Sequence, residues 1–406
     1  MTMKPFGELT TRENALRIID SNIRPIERTE KVPLEEAAGR VLASDIVAGF
    51  DVPPFDRASM DGYAVRAADT AGATEAGPAR LRLVAVQHTG EVYKGRVGKG
   101  ECVEIATGGP VPLGCDAVVK VEDTSREGDT VLIRVQVAAG KDISPAGEDM
   151  RKGDRVLDAG SALSPGMVGA LAALGHDSAE VYAKPMVAIY SSGPEVAPQG
   201  EPLRPGQVYD VNSFTLYAVV EAMGGVPVKR GIVADDEASI DAALEDASGY
   251  DMGVFSGGSS VGSRDLFGEA VGRLGVVHFH GVKVKPGKPT LFGEVAGTPV
   301  FGMPGYPTSC LTNSYVFLTP ALRRMARLPP LEPQRVTVPL GHRLVSRSDR
   351  ETFITVRIEG GRAHKVFKQS GDITSMAYAD GYIIVPEGDH VLEEGEPVEV
   401  TLLPRP

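Results

Sequence analysis

The sequence predicts a multi-domain chain of the α/β plus β class: a doubly wound parallel-sheet domain, a β-domain inserted near the start, and a C-terminal β-barrel. Three patterns predict it. After Val181, strand-like and helix-like stretches alternate, the βαβ rhythm of a parallel sheet covered by helices. Between Leu81 and Val137 the pattern changes to short β segments separated by glycine-rich turns. Beyond Pro329 and Pro330 a second group of short β segments follows, as in a small barrel or sandwich.

Taken in chain order, Thr10 with Glu13 three residues later is a capping-box signature. Ala15, Leu16, Ile18, Ile19 and Ile23 then recur at helical spacing, which predicts a helix over 11–23. The stretch from Pro53 to Val65 begins with two prolines and interleaves Phe55, Met60 and Tyr63 with Asp56, Arg57 and Asp61, which predicts an ordered loop. Leu81–Val86, Ala117–Val121 and Val131–Val135 are the strands of the inserted domain. The polar segment from Gly147 to Asp154 and a small-residue helix over 165–174 return the chain to its first structural unit. The predicted domains are therefore 1–50 together with 145–180, then 51–144, 181–330 and 331–406. In the third, strands are expected at 186–190, 226–233 and 251–255, with helices at 212–223, 237–247 and 264–274. A last apolar helix runs from Leu311 to Leu328 and is stopped by the proline pair. Arg335–Leu340, Phe353–Ile358, Tyr382–Val385 and Val398–Leu402 are the terminal strands.

A chain of 406 residues exceeds one ordinary core, and 42% hydrophobic with 24% charged residues is globular composition. No run approaches the roughly 18 apolar residues that span a bilayer, and Met1 to Glu8 lack a signal-peptide pattern, so a cytoplasmic protein is expected. Cys102, Cys115 and Cys310 form no Cys-x-x-Cys pair and read as reduced, mostly buried thiols. With 42 basic and 54 acidic residues the net charge is −12, the wrong sign for nucleic acid. An anionic ligand must be held by a local basic cluster.

Two segments suit an anion. Val254 to Gly262 runs from an apolar strand into glycines and hydroxyls ahead of a helix, the way a backbone approaches a phosphate; a tight turn without ligand fits the pattern equally well. Lys283, Lys285 and Lys288 then fall within six residues on a stretch stiffened by Pro286, Gly287 and Pro289, and an extended backbone puts Lys283 and Lys285 on one face. A solvated charge run is the alternative to an anion site here. Glu195, Asp235 and Asp265 all follow predicted strands, at the carboxyl edge where open α/β sheets bind ligands. Each alone fits a helix cap or the surface; together, beside a phosphate site, they call for a hard cation such as Mg²⁺. His278 and His280 share a strand face without metal-ligand partners and read as core or edge histidines. Neither a Gly-x-Ser-x-Gly elbow nor a Walker motif is present.

At Phe55 to Val65, Ala106 to Pro110, Gly257 to Gly262, Lys285 to Pro289 and Gly302 to Pro307, the chain resembles the MoeA-type molybdopterin molybdenumtransferases, the family that includes the gephyrin E domain. The resemblance covers nearly the whole length. It implies a MogA-like α/β domain in an elongated homodimer, each site lying between that domain of one subunit and the N-terminal domains of the other. It also implies a reaction in which adenylated molybdopterin and molybdate, or tungstate, give molybdenum cofactor and AMP with Mg²⁺. By motif, Asp61, Glu195, Asp235, Asp265 and Lys285 fall at catalytic positions, Asp235 and Asp265 also as metal ligands. Thr107, Asp149, Gly257, Gly258, Ser259, Ser260, Lys283, Lys288, Pro304, Pro307, Arg350 and Ser370 fall at substrate-binding positions. Partners implied are a second copy and, transiently, the preceding adenylyltransferase and the enzymes that accept the cofactor; no membrane partner is implied. Pro194, Gly281 and Tyr306 depart from the usual Asp, Lys and Asn of relatives. Two rival readings are the adenylyltransferase itself, which has no need of residues 1–180, and a non-catalytic scaffold like gephyrin, against which the retained acids argue.

Overall fold

The computed structural model describes residues 8–257, 265–366, 368–369 and 371–404. The chain divides into two compact units, Lys31–Val181 and Met1–Glu30 with Tyr182–Pro406. The first helix, α1 (Arg12–Asn22), belongs to the second of these. Its Ala15 and Ile19, with Ile23 beyond its end, lie in one apolar cluster with Val187, Val254 and Phe317, so α1 packs with the α/β part rather than with 145–180 as expected. The cap also differs from expectation. Thr11 rather than Thr10 accepts the Asn14 N–H, because Thr10 is occupied in a parallel bridge with Val282.

Within Lys31–Val181 a six-stranded sheet runs, in spatial order, Ala117–Lys120, Gly62–Val65, Glu101–Ile105, Ala79–Gln87, Thr130–Ile133 and Thr124–Glu127. Gly62–Val65, expected as loop, is a buried strand inside this sheet. Glycine at 62 permits it, since a Cβ there would stand 1.9 Å from the Val119 carbonyl oxygen. Around the sheet, Ile46–Val47 pairs with Arg155–Leu157, and α2 (Pro165–Ala173) starts at the Ser164 cap. Val32, Leu42, Leu157, Leu163, Leu171 and Val181 share a separate core, which ties the segments before and after the sheet together.

The α/β part is built on β1 (Met186–Ser192), β2 (Val226–Val233), β3 (Met252–Ser256), β4 (Gly275–His280), β5 (Val284–Lys285), β6 (Leu291–Val295) and β7 (Thr298–Met303). Its helices are α3 (Asn212–Ala222), α4 (Glu237–Ala247), α5 (Leu266–Leu274), α6 (Pro307–Asn313) and α7 (Thr319–Met325). The sheet order is β2-β1-β3-β7-β6-β4. The first four strands are parallel, and β6 and β4 add an antiparallel edge. Both faces are buried along β1, β3 and β7, which is why these strands read as continuous apolar runs. Val187 and Ile189 face the cluster made with α1, α3 and α7, while Ala188 and Tyr190 face the one made with α4 and α5. Between α6 and α7 the helix widens into a π-turn, Ser314–Leu318. Pro320 explains it: the ring has no N–H to donate and crowds the preceding turn.

The terminal β-domain comprises β8 (Arg335–Pro339), β9 (Leu344–Ser348), β10 (Glu351–Glu359), β11 (Arg362–Lys365), β12 (Gly381–Val385), β13 (Gly388–Leu392) and β14 (Pro397–Leu402). Its main sheet runs β5-β10-β12-β14-β8, so the lysine strand β5 is an edge of this sheet and not of the α/β one. The core holds Leu340, Ile354, Val356, Ile383 and Val400. Arg12 adds a two-pronged ion pair to Glu351, at 2.7 and 3.2 Å.

The turn after β5 is fixed by Asn313, which is 0% exposed. Its amide donates to the Gly287 carbonyl at 2.8 Å and to Thr290 Oγ1 at 2.6 Å. Gly287 has φ +104°, and a Cβ there would meet the Asn313 amide at 2.3 Å. Asn313→Ala removes two buried donors and should cost about 1–3 kcal/mol in urea-induced unfolding. A cost below about 0.5 kcal/mol, the range of neutral surface changes, would show that the amide does not hold the turn.

Candidate active site

The sheet order of the α/β part places a topological switch between β1 and β3, since the chain leaves β1 for β2 on one side and returns as β3 on the other. Ligands bind such sheets outside the carboxyl ends of the two strands at the switch. Register aligns those ends: Ser192 pairs with Val233, Ser191 with Ser256, and Ser256 with Met303. Glu195, Asp235, Gly257 and Pro304 follow these positions by one to three residues and so share one edge.

Gly257 shows how tightly the loops converge there. It has φ +91°, a Cβ would lie 2.1 Å from the Ser192 carbonyl oxygen, and its N–H donates to the Met303 carbonyl at 3.2 Å. Only glycine fits. Gly305 has room for a Cβ 3.5 Å from the Gly257 Cα. Beneath these loops lies a buried polar layer that the sequence reading did not single out. Asp210, 6% exposed, accepts from Ser191 Oγ at 2.9 Å and from the Ser213 N–H at 3.0 Å. Asn212 Nδ2 donates to the Gly305 carbonyl at 2.8 Å. The only hint in the chain is a polar Asp210-Val211-Asn212-Ser213 start to an otherwise apolar helix.

Of the expected acids, Asp265 is the most constrained. It caps α5, taking the Gly268 N–H on Oδ1 at 3.1 Å, and its Oδ2 lies 3.1 Å from His280 Nδ1. Burial holds the His280 pKa below its usual 6.5, against the opposing pull of Asp265. The imidazole is therefore neutral near pH 7. Glu195 is exposed, its carboxylate close to where a Gly193 side chain would stand. Asp235 is exposed beside Asp236, and it is Asp236 that caps α4 through the Ser239 N–H. Among the described residues, no group of three or more His, Cys, Asp or Glu is placed to hold a metal ion.

The basic side is assembled across the joint with the terminal β-domain. Val284 and Lys285 pair in parallel with Glu351 and Thr352, and the Glu351 N–H donates to the Lys283 carbonyl at 3.1 Å. Arg350, one residue earlier, reaches Asp349 at 3.1 Å. The Asp349 carboxyl lies below the usual aspartate range, first because of Arg350 and then with a contribution from the charge on Lys288. Lys285 is exposed, Lys283 and Lys288 half-buried. Pro304 is buried, Pro307 opens α6, and Tyr306 between them is 68% exposed. Gly258, Ser259, Ser260 and Ser370 lie outside the described residues. A cleft of about 1290 Å³ elsewhere in this unit, lined by Leu16, Tyr315, Arg323, Leu331 and Tyr382 among others, contains none of the expected site residues.

In Lys31–Val181 the structure brings Asp61 and Thr107 together. Asp61 Oδ1 accepts both the N–H and the hydroxyl of Thr107, each at 2.7 Å. Those two bonds, the backbone one first, hold the Asp61 carboxyl below the usual range. The Asp56 carboxylate takes the Ala146 N–H, and Ser59 N–H donates to the Asp142 carbonyl, so 56–61, 107–110 and 142–149 form one loop cluster, with Asp149 exposed in it.

Comparison with known proteins decides the family. The family model for the MoeA N-terminal region (domain I and II) matches residues 10–175, that for a probable molybdopterin binding domain matches 188–324, and that for the MoeA C-terminal region (domain IV) matches 337–403. The chain belongs to the MoeA family. It is 37% identical over 373 residues to molybdopterin molybdenumtransferase 2 of Mycobacterium tuberculosis, covering 88% of this chain and 90% of that one. It is 31% identical over 380 residues to molybdopterin molybdenumtransferase of Staphylococcus aureus, covering 91% and 90%. Among solved structures, a MoeA molybdopterin biosynthesis protein of Pyrococcus horikoshii matches with TM-score 0.85 and 40% identity, covering 97% of this chain and 99% of that one.

The three cysteines are free, and burial pushes each thiol up to about 12, so none is a nucleophile at neutral pH. Thr107→Val deletes one of the two donors on Asp61 and should move its carboxyl titration upward, toward but not reaching the ordinary aspartate range. Carboxyl-carbon NMR titration reads this directly, and an unmoved midpoint would show that the backbone N–H suffices.

Proposed function

We propose that this MoeA-family chain is a molybdopterin molybdenumtransferase acting in molybdenum cofactor biosynthesis, inserting molybdate or tungstate into adenylated molybdopterin with release of AMP. The observations that support the reading are Gly257 at the β1/β3 switch, where no side chain fits, and the pairing of Lys285 on β5 beside Glu351, next to Arg350. Backbone N–H groups and cations there suit a phosphoanhydride and an oxyanion, and they do so without making the rest of an acidic protein anion-binding.

Mg²⁺ takes oxygen ligands and is commonly held by one or two carboxylates plus substrate phosphates. Asp265 and Asp235 supply hard oxygens of that kind, so the donor set fits. Bound there, Mg²⁺ would neutralise charge that grows on the phosphoanhydride as it breaks. Lys285, Lys288 and Arg350 orient the phosphate and oxyanion, and the Gly257 loop brings backbone close to them. Pro304, Pro307 and Tyr306 wall the pocket. The pterin's own sulfurs supply the ligands to the incoming metal, so no cysteine of the protein is needed. Glu195, Asp61, Thr107 and Asp149 act in the same reaction, the last three as groups supplied across a homodimer. Exposed Val208, Tyr209, Phe214 and Tyr217 and the exposed edge strand β2 support association with a second copy. No helix among the described residues is long and apolar enough to cross a membrane, and we place the reaction in the cytoplasm.

Purified protein given adenylated molybdopterin should release AMP in a molybdate-dependent way. Asp265→Asn, which can still cap α5, should lose less than about 1 kcal/mol of stability. It should nevertheless lower turnover by orders of magnitude while retaining uncleaved substrate. Near-normal AMP release at low Mg²⁺ would make Asp265 a cap and nothing more. Light scattering at micromolar concentration should return twice the mass of one chain; a monomer would remove the homodimer from this reading.

A further inference from the structure

We propose that His280 is a positioning residue for Asp265, fixing the carboxylate from the side opposite its helix so that its remaining lone pairs face the crevice. The inference rests on the reading above, in which Asp265 serves the reaction. Three observations point the same way.

The first is the contact. A helix cap needs one carboxylate oxygen, and Oδ1 already serves the Gly268 N–H. Oδ2, 3.1 Å from His280 Nδ1, is held by a second group on a different element. A carboxylate has about four lone-pair sites, and these two contacts among the described residues use one on each oxygen, which leaves a second site on each to offer a cation or a bound water. The second is Gly268. Glycine within a helix costs about 0.5–1 kcal/mol relative to alanine, yet it stands in the first turn of α5. A Cβ there would lie 2.5 Å from Asp265 Oδ2 and 3.1 Å from His280 Cε1, so the glycine makes the room in which imidazole and carboxylate meet. The third is a register shift in β4 between Val277 and Phe279, the kind of irregularity that re-aims side chains. His278 lies against Phe292, ring centroids 5.3 Å apart, whereas His280 reaches α5. A ring nitrogen at 3.1 Å holds the carboxylate in one rotamer, as an orienting partner does for a metal-binding carboxylate.

The test compares His280→Leu, His280→Asn, Gly268→Ala and Asp265→Asn in the full chain. Turnover and KM are read from AMP release, and metal binding from titration of Mn²⁺ into the AMP-saturated protein by electron paramagnetic resonance. His280→Leu should lower kcat and Mn²⁺ affinity about 10–100-fold, the usual effect of losing an orienting partner, with KM changed little. Asn places an N–H near that of Nδ1, so His280→Asn should recover most of both. Gly268→Ala, with the histidine intact, should lower both as well. If Asp265→Asn is inactive but His280→Leu keeps wild-type kcat and Mn²⁺ affinity and only melts earlier, His280 is a latch and this inference fails alone. If Asp265→Asn itself turns over normally, the reading beneath it fails too.

Discussion

The segment from Gly281 to Thr290 is the constraint on which the α/β part and the terminal β-domain jointly depend. Its amino end bridges Thr10, its middle pairs with β10, and its turn is clamped by buried Asn313. Each partner comes from a different stretch of chain, hundreds of residues apart at the extremes. Three cations are thereby held on a backbone that cannot shift without breaking buried hydrogen bonds, whose loss costs more than their formation gains. Electrostatic preorganisation of this kind needs rigidity as much as charge.

The carboxyl edge of the sheet solves a different problem. A parallel sheet buried on both faces has no polar side to offer a ligand, so function must sit at its ends. There β1 and β3 terminate in Ser191, Ser192 and Ser256, and the loops beyond them approach so closely that Gly257 admits no side chain. Asp210 is buried beneath them, with hydroxyl and N–H partners that satisfy its oxygen away from water. This edge is thus assembled from backbone and supported by buried polar groups, with the exposed acids Asp235 and Glu195 out at the rim.

The net charge of −12 and the anion-binding reading are compatible because screening makes exposed charges act locally, within about 10 Å at moderate salt. Many of the surface acids are paired with arginines, as in Arg230 with Asp246 and Arg273 with Asp241, and contribute little field at the crevice.

Periodicity alone placed the helices at 212–222 and 237–247 and the strands at 226–233 and 252–256 within a residue or two, because both faces of the sheet and the helix stripes must be apolar. The order of motifs was enough to indicate the family, and the glycines and prolines of 257 and 285–289 already mark backbones with little freedom. Which segments meet was not legible. Gly62–Val65 hides as a strand because its one requirement, closeness to Val119, lies fifty-seven residues away. Helix α1 is compatible with either unit until its apolar stripe finds α7 and β1. His280 looks like any edge histidine until a register shift and a glycine on another element bring Asp265 to it. Local pattern reports what each residue can bury or bend. Long-range proximity, which sets hydrogen-bond partners and pKa values, exists only once the chain has folded.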